Sequence, residues 1–141
     1  METLYFRDNL EEANPATNGI IDNCISQLKE YFAGLRYSFD LMLDPQGTEF
    51  QRTVWHELYK IPYGVTISYH ELSKRILNEK AVRAVGAANG KNPISIIIPC
   101  HRVIGANGKL VGYGGGLWRK KWLLEHEEKY SNKEKQMNFF N

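Results

Sequence analysis

Cysteine is scarce in this sequence: there are two, Cys24 and Cys100, and no Cys-x-x-Cys pair. That excludes a dithiol redox motif and a thiolate zinc cage. There is no His-Glu-x-x-His stretch, and the four histidines (His56, His70, His101, His126) stand too far apart to suggest a ligand set. We therefore expect no metal. No apolar run is long enough to cross a bilayer, and the N-terminus has no signal-peptide pattern, so a cytoplasmic protein with no membrane partner is expected. In such a reducing compartment both cysteines read as free thiols.

Acidic residues are also scarce in one region. From Gly64 to Trp122 only Glu71 and Glu79 stand against Lys74, Arg75, Lys80, Arg83, Lys91, Arg102, Lys109, Arg119, Lys120 and Lys121. The whole chain carries a net +2, whereas its first 35 residues are acidic. A basic face confined to one stretch suits a polyanionic partner, although a solvated basic surface would look the same. With 141 residues, 43% of them hydrophobic, the chain has enough material for one folded domain with a core.

Residues 1–19, with breakers in Asn14-Pro15-Ala16-Thr17-Asn18-Gly19, read as weakly structured. Ile21, Cys24, Ile25, Leu28 and Phe32 then recur at helical spacing, predicting a helix over about 20–33 capped by Gly34. Tyr37, Phe39, Leu41 and Leu43 alternate as in a short strand over 37–43. The turn Asp44-Pro45-Gln46-Gly47 marks a boundary between a segment 1–46 and a main domain 47–130, with a frayed polar tail at 131–141. Thr48 with Gln51 predicts a capping box, and Phe50, Val54, Leu58 and Ile61 an apolar stripe behind it. Two short helices, about 69–76 and 81–89, suggest a helix-turn-helix. Ile94 to Ile98 reads as a buried run, Gly105 to Gly108 as a hairpin turn, and the last helix starts at Leu117.

The chemistry centres on Pro99-Cys100-His101-Arg102-Val103. His101 and Arg102 are neighbours of the kind that lower a thiol's pKa. Cys100 and His101 can cooperate only where the chain turns, with a water as the natural link. On the last helix Lys120, Leu124 and Glu127 share a face, and a carboxylate there could orient an imidazole. Taken singly, these have bland alternatives: a buried structural thiol for Cys100 and a solvated charge run for Glu127.

In combination the residues resemble the O6-alkylguanine-DNA alkyltransferase family. The likeness is carried by Phe50-Gln51, Ile61-Pro62-Tyr63-Gly64, Ser68-Tyr69, Ala81-Val82-Arg83-Ala84-Val85-Gly86, Asn92-Pro93, Pro99-Cys100-His101-Arg102-Val103, Gly112-Tyr113, Gly115-Gly116-Leu117 and Lys120-Lys121-Trp122-Leu123-Leu124-Glu125-His126-Glu127, all in family order. The resemblance implies an α+β, mostly helical, winged-helix-like domain with a helix-turn-helix, preceded by a shortened remnant of the family's N-terminal domain. It implies Cys100 as alkyl acceptor, with His101 and Glu127 completing a water-linked relay. It implies Arg83 as the residue inserted into the base stack, Tyr69 as the one crowding the phosphate, and Ala84, Ala87 and Ala88 as small residues allowing close approach to the minor groove. Asn92 would brace the active-site turn. The carbonyls of Cys100 and Val103 would receive the guanine amino group, and Tyr113, the Gly114 amide and Lys120 would face the leaving oxygen or the ring. The expected partner is duplex DNA bearing O6-alkylguanine, with O4-alkylthymine as a second candidate substrate. A monomer without cofactor is expected. Rival readings are a non-catalytic damage sensor, which the thiol at position 100 disfavours, a cysteine hydrolase, and a plain helix-turn-helix regulator.

Overall fold

The computed structural model describes residues 1–4, 6, 19–76 and 78–140, with side chains as far as residue 131. Among these residues the chain is mostly helical, with one two-stranded sheet. The breaker segment 14–18, and with it most of the weak structure expected for 1–19, lies outside them.

Helix α1 (Gly19–Phe32) ends as its sequence suggests. Gly34 sits at φ +76°, Gly34 N–H bonds the Tyr31 carbonyl (3.0 Å) and Leu35 N–H bonds that of Glu30 (2.9 Å). This is a Schellman closure, and the missing side chain also lets Tyr130 pack against the turn. The buried face matches the apolar periodicity only in part, at Cys24, which is buried, and Leu28, which packs against the core. Cys24, Gln27 and Tyr31 point inward, while Ile21, Ile25 and Phe32 are exposed. The reason lies in the chain just beyond the helix: Gln27 bonds both the N–H and the C=O of Asp40 (2.9 Å each), turning a polar side chain into a structural clamp.

Residues 37–43 form no strand, correcting that expectation: the chain bends at Tyr37 and Ser38 and has no regular structure from Phe39 to Leu43. Alternation specifies an extended backbone but not a ladder partner. Here side chains and the N-terminus satisfy the backbone instead. Gln27 holds Asp40, Tyr59 Oη donates to the Phe39 carbonyl (3.1 Å), and the Met1 ammonium donates to the Met42 carbonyl (3.0 Å).

Helix α2 (Glu49–Tyr59) opens on the expected capping box. Gln51 N–H bonds Thr48 Oγ1 (3.1 Å) and Thr48 N–H bonds Gln51 Oε1 (3.0 Å). Val54, Leu58 and the following Ile61 are buried as read, Phe50 is largely outside, and Trp55 takes its place in the core. Trp55 Nε1 donates to the Ala88 carbonyl at 2.8 Å, tying α2 to the helix pair beyond it.

Strand β1 (Ile67–Ser68) runs into α3 (Tyr69–Arg75), with Ser68 as N-cap. A 3₁₀ turn at Glu79–Ala81 leads into α4 (Val82–Gly90). β1 pairs in parallel with β2 (Val103–Ile104), Ile67 opposite Val103. The Gly105–Gly108 turn forms, with Asn107 at φ +61° and Gly108 at φ +76°, but it closes no hairpin because Lys109 onward joins no ladder. Helix α5 (Leu117–Phe140) continues to Phe140 rather than ending near Tyr130. Residues 131–140 contain no Gly or Pro, and their lysines, glutamate, glutamine and methionine favour helix.

The core gathers Val54, Trp55, Leu58, Ile61, Leu72, Val85, Ala88, Ile94, Ile97, Ile98, Cys100 and Val103 between α2, the α3–α4 pair and the 94–103 segment. That segment is held rigidly. Ile96 has φ +72°, an uncommon conformation for a β-branched residue, and persists because the side chain is buried and packed on Tyr31 and Leu123.

Candidate functional site

The turn that sequence reading required between Cys100 and His101 is a 3₁₀ turn, Cys100–Arg102, entered from Pro99. Asn92 braces it: Asn92 Nδ2 donates to the Ile98 carbonyl (2.8 Å) and Asn92 Oδ1 accepts from Ile94 N–H (3.0 Å). Cys100 is 5% exposed yet lines a cavity of about 240 Å³ with Phe6, Asn89, Gly90, Asn92, Ser95, Gly112, Tyr113, Gly114 and Gly115. The Tyr113 hydroxyl is buried with no hydrogen bond of good geometry among the described residues, and burial, then the nearby Cys100, pushes its pKa up while Ser95 pulls against the rise. It is therefore a protonated donor at neutral pH. Both cysteines are free thiols.

Glu127 is the electrostatic centre. It is buried on α5, and its Oε2 lies 2.6 Å from His101 Nε2 and 2.6 Å from Tyr31 Oη. Arg102 binds it in a fork, Nε to Oε1 at 2.7 Å and Nη2 to Oε2 at 3.1 Å. The Gly64 amide adds a longer bond to Oε1 (3.3 Å), from a glycine at φ +75° with Ser131 where a side chain would go. Burial by itself would raise the carboxyl's pKa, but the hydrogen bond and charge of His101, and then those of Arg102, outweigh it and hold Glu127 well below the usual carboxylate range.

His101 is fully buried, and burial lowers its pKa despite Glu127. Arg102 already neutralises that carboxylate, so a second proton gains little. An ionised Glu127 only accepts, which places the ring proton on His101 Nε2 and leaves Nδ1 as a bare acceptor. Nδ1 has no hydrogen-bond partner among the described residues.

Two sequence expectations are corrected here. Arg102 does not face the thiol; its guanidinium is spent on Glu127 and on the Ile61 carbonyl (2.7 Å). The Cys100 pKa is accordingly raised by burial, not lowered, although Asn92 and Lys120 pull against that rise. Sequence reasoning also missed Tyr31 and Gly64 as partners of Glu127. The visible signal is the i, i+3, i+7 set Cys24, Gln27 and Tyr31, of which the apolar stripe included only Cys24.

Lys120 is buried and donates to the carbonyls of Val103 (2.7 Å) and Val111 (3.0 Å). Val103 is buried, and its carbonyl therefore keeps only one lone pair for any ligand. Tyr69 Oη meets the same Val111 carbonyl (3.1 Å), with the Lys120 ammonium 5.8 Å from the Tyr69 ring centre. Burying Arg102 and Lys120 removes two of the ten cations counted in this stretch from the surface. The rest are exposed or partly exposed. On α4, Arg83, Ala84 and Ala87 face outward with Gly90, while Ala88 is buried against Trp55 and is corrected as an approach residue.

Residues 49–129 match the family described as 6-O-methylguanine DNA methyltransferase, DNA binding domain. The chain belongs to this family. Among its methyltransferase relatives, the methylated-DNA–protein-cysteine methyltransferase of Methanosarcina mazei is 60% identical over 103 residues, 73% of this chain and 65% of that protein. The Mycobacterium tuberculosis protein of the same name is 56% identical over 110 residues, 78% of this chain and 67% of that one. The chain thus spans about 65% of the length of the Methanosarcina relatives. The fold superposes on the M. tuberculosis OGT crystal structure in complex with DNA with a TM-score of 0.76 and 56% identity, covering 77% of this chain and 68% of that one. It also superposes on S. pombe Atl1 in complex with damaged DNA containing O6-carboxymethylguanine, with a TM-score of 0.51 and 28% identity over 58% of this chain and 78% of that one. The mostly helical methyltransferase architecture with a small two-stranded sheet is therefore the family's own.

Proposed function

We propose that this protein repairs alkylated duplex DNA by moving an alkyl group from O6 of guanine to Cys100, where it stays. The observation that carries this reading is a thiol on the wall of a base-sized cavity, one residue from a histidine whose far nitrogen is locked to a buried carboxylate. Residues 47–130 would do the chemistry and the DNA binding, with residues 1–46 as an accessory.

The target atom is out of reach inside a duplex, so the nucleotide must be extruded. The outward face of α4 carries one long cation, Arg83, among residues with almost no side chain, a shape suited to lying in a minor groove while Arg83 fills the vacated stack. Tyr69, at the start of α3, would crowd the adjacent phosphate. In the cavity the carbonyls of Cys100 and Val103 would accept from the guanine amino group. His101 Nδ1 takes the thiol proton through a water, and Glu127 stabilises the imidazolium that results. The thiolate forms a C–S bond as the C–O6 bond breaks, and guanine leaves with that electron pair. Negative charge grows on O6, where Tyr113 Oη and the Gly114 amide can donate, with Lys120 behind them. The raised thiol pKa fits this order of events: the sulfur stays protonated until a substrate is seated. Water does not cleave a thioether, so each molecule acts once, and the same chemistry would serve O4-alkylthymine. No step calls for a cofactor.

Intact-mass measurement after incubation with duplex DNA containing O6-methylguanine tests the reading. One added methyl, mapped to a Cys100 peptide, is expected. Unchanged mass with full retention of the lesion would overturn it, and repeated turnover on an acyl substrate would favour the hydrolase.

Arg83→Ala should slow transfer from duplex DNA by about tenfold or more while leaving transfer from free O6-benzylguanine within about twofold, because only the duplex demands extrusion. Equal losses on the two substrates would remove Arg83 from the stack.

A further inference from the structure

We propose that Tyr31, on α1 in the N-terminal segment, is a positioning residue of the Cys100–His101–Glu127 relay, its hydroxyl setting how strongly Glu127 Oε2 holds His101. The inference rests on the alkyl-transfer reading and extends it to a residue outside the matched domain 49–129.

Geometry carries the argument. Glu127 Oε2 is shared by three donors, Tyr31 Oη at 2.6 Å, His101 Nε2 at 2.6 Å and Arg102 Nη2 at 3.1 Å. Donors on one oxygen compete for its charge, so each weakens the others. Tyr31 is fully buried, and its hydroxyl has no water to turn to if Glu127 is lost. Its ring is fixed by Phe39, Tyr63 and His126 at centroid distances of 5.7, 6.0 and 5.3 Å, and His126 Nε2 meets the Tyr31 carbonyl at 2.8 Å. A phenyl ring would fill the same space. Packing therefore does not require the hydroxyl; the carboxylate does.

Without that hydroxyl, Oε2 carries more charge toward His101 and makes the ring more basic. The other charged and titratable groups facing the pair are Arg102 and Cys100 from the turn, Lys120 and His126 from α5, Tyr113 before α5, and Tyr63 beyond α2, with Tyr37 and Tyr130 behind it. None of them is altered by the substitution. Because His101 must be neutral to take the thiol proton, the acid limb of the rate profile moves to higher pH.

The test is the rate of benzyl transfer from O6-benzylguanine to the full chain, between about pH 5 and pH 9, for wild type and Tyr31→Phe. The acid limb should rise by about half a pH unit, roughly a threefold loss at a fixed pH on that limb, with the alkaline plateau equal or faster. 3-Fluorotyrosine at position 31, a stronger donor, should move the limb the other way. Superposable profiles, or a loss that is uniform across pH, would overturn the proposal. Should wild type accept no benzyl group at any pH, the alkyl-transfer reading fails instead, and the His101 ring titration followed by NMR still decides about Tyr31. An unchanged titration in Tyr31→Phe sinks it.

Discussion

Glu127→Gln should slow alkyl transfer by about 10²–10⁴-fold and lower Tm by about 10–20 °C. The two losses have separate causes. For the rate, a glutamine amide can turn its N–H toward His101 Nε2, shifting the ring proton to Nδ1, the nitrogen that must accept from Cys100. The relay then faces the thiol with a donor where it needs an acceptor, and no anion stabilises the imidazolium. For stability, the substitution strips the counter-charge from Arg102, which is buried and whose remaining bond goes to the Ile61 carbonyl. Breaking one side of a buried pair costs about 3–5 kcal/mol, against a total of about 5–15 kcal/mol for a domain. The glutamine cannot satisfy the Arg102 fork, since one of its two polar atoms is itself a donor. A variant that melts like wild type would show that the Arg102–Glu127 fork contributes little, and one that repairs at wild-type rate would remove Glu127 from the relay.

The same cluster fixes the sign of the acid response. Glu127 has a depressed folded pKa, so its contribution is complete above the unfolded carboxyl value of about 4.3 and is lost as pH falls below it. His101 is also depressed, by burial. Between its folded value and about 6.5 the unfolded chain binds the extra proton, so stability already declines as pH drops below about 6.5. Wild-type Tm should therefore fall in two stages on acidification, the first assigned to His101 and the second to Glu127. In Glu127→Gln the second stage should be weakened.

The sequence-legible parts of the fold were those decided locally. The Thr48–Gln51 box, the Gly34 cap and the Ser68 start each use groups within a few residues, so their chemistry can be read in order along the chain. What escaped depended on partners distant in sequence. The orientation of α1 is set by Asp40 and by Glu127, 96 residues from Tyr31, and no periodicity reports that. The 37–43 segment has strand alternation but no neighbour of its own kind. Arg102 is the instructive case: adjacency to Cys100 suggested that it activates the thiol, but a guanidinium reaches far beyond its own Cα, and the buried carboxylate across the turn claimed it. Cys100, His101 and Glu127 were named through the family's motif order; helix pattern alone would have left Glu127 among a solvated run of glutamates.

Cys100→Ala should abolish alkyl incorporation while preserving the fold and most DNA affinity. The fold does not hang on the thiol: Asn92 braces the turn through backbone groups at Ile98 and Ile94 as well as reaching the sulfur, and alanine fits the same 3₁₀ geometry. The outward face of α4 lies on a separate element and keeps Arg83, Ala84 and Ala87 as they are. Affinity for duplex DNA should still fall with rising salt, as phosphate contacts by exposed cations require. Only the bond-forming step is lost, and the other thiol cannot take it over, because Cys24 packs beside Met1 and does not line the cavity. The variant should thus bind O6-alkylguanine duplexes and hold them unrepaired. Detecting label on Cys100→Ala protein after incubation with radiolabelled methylated DNA would place the acceptor elsewhere. A parallel loss of DNA binding would mean that position 100 supports the groove-facing helices as well as the chemistry.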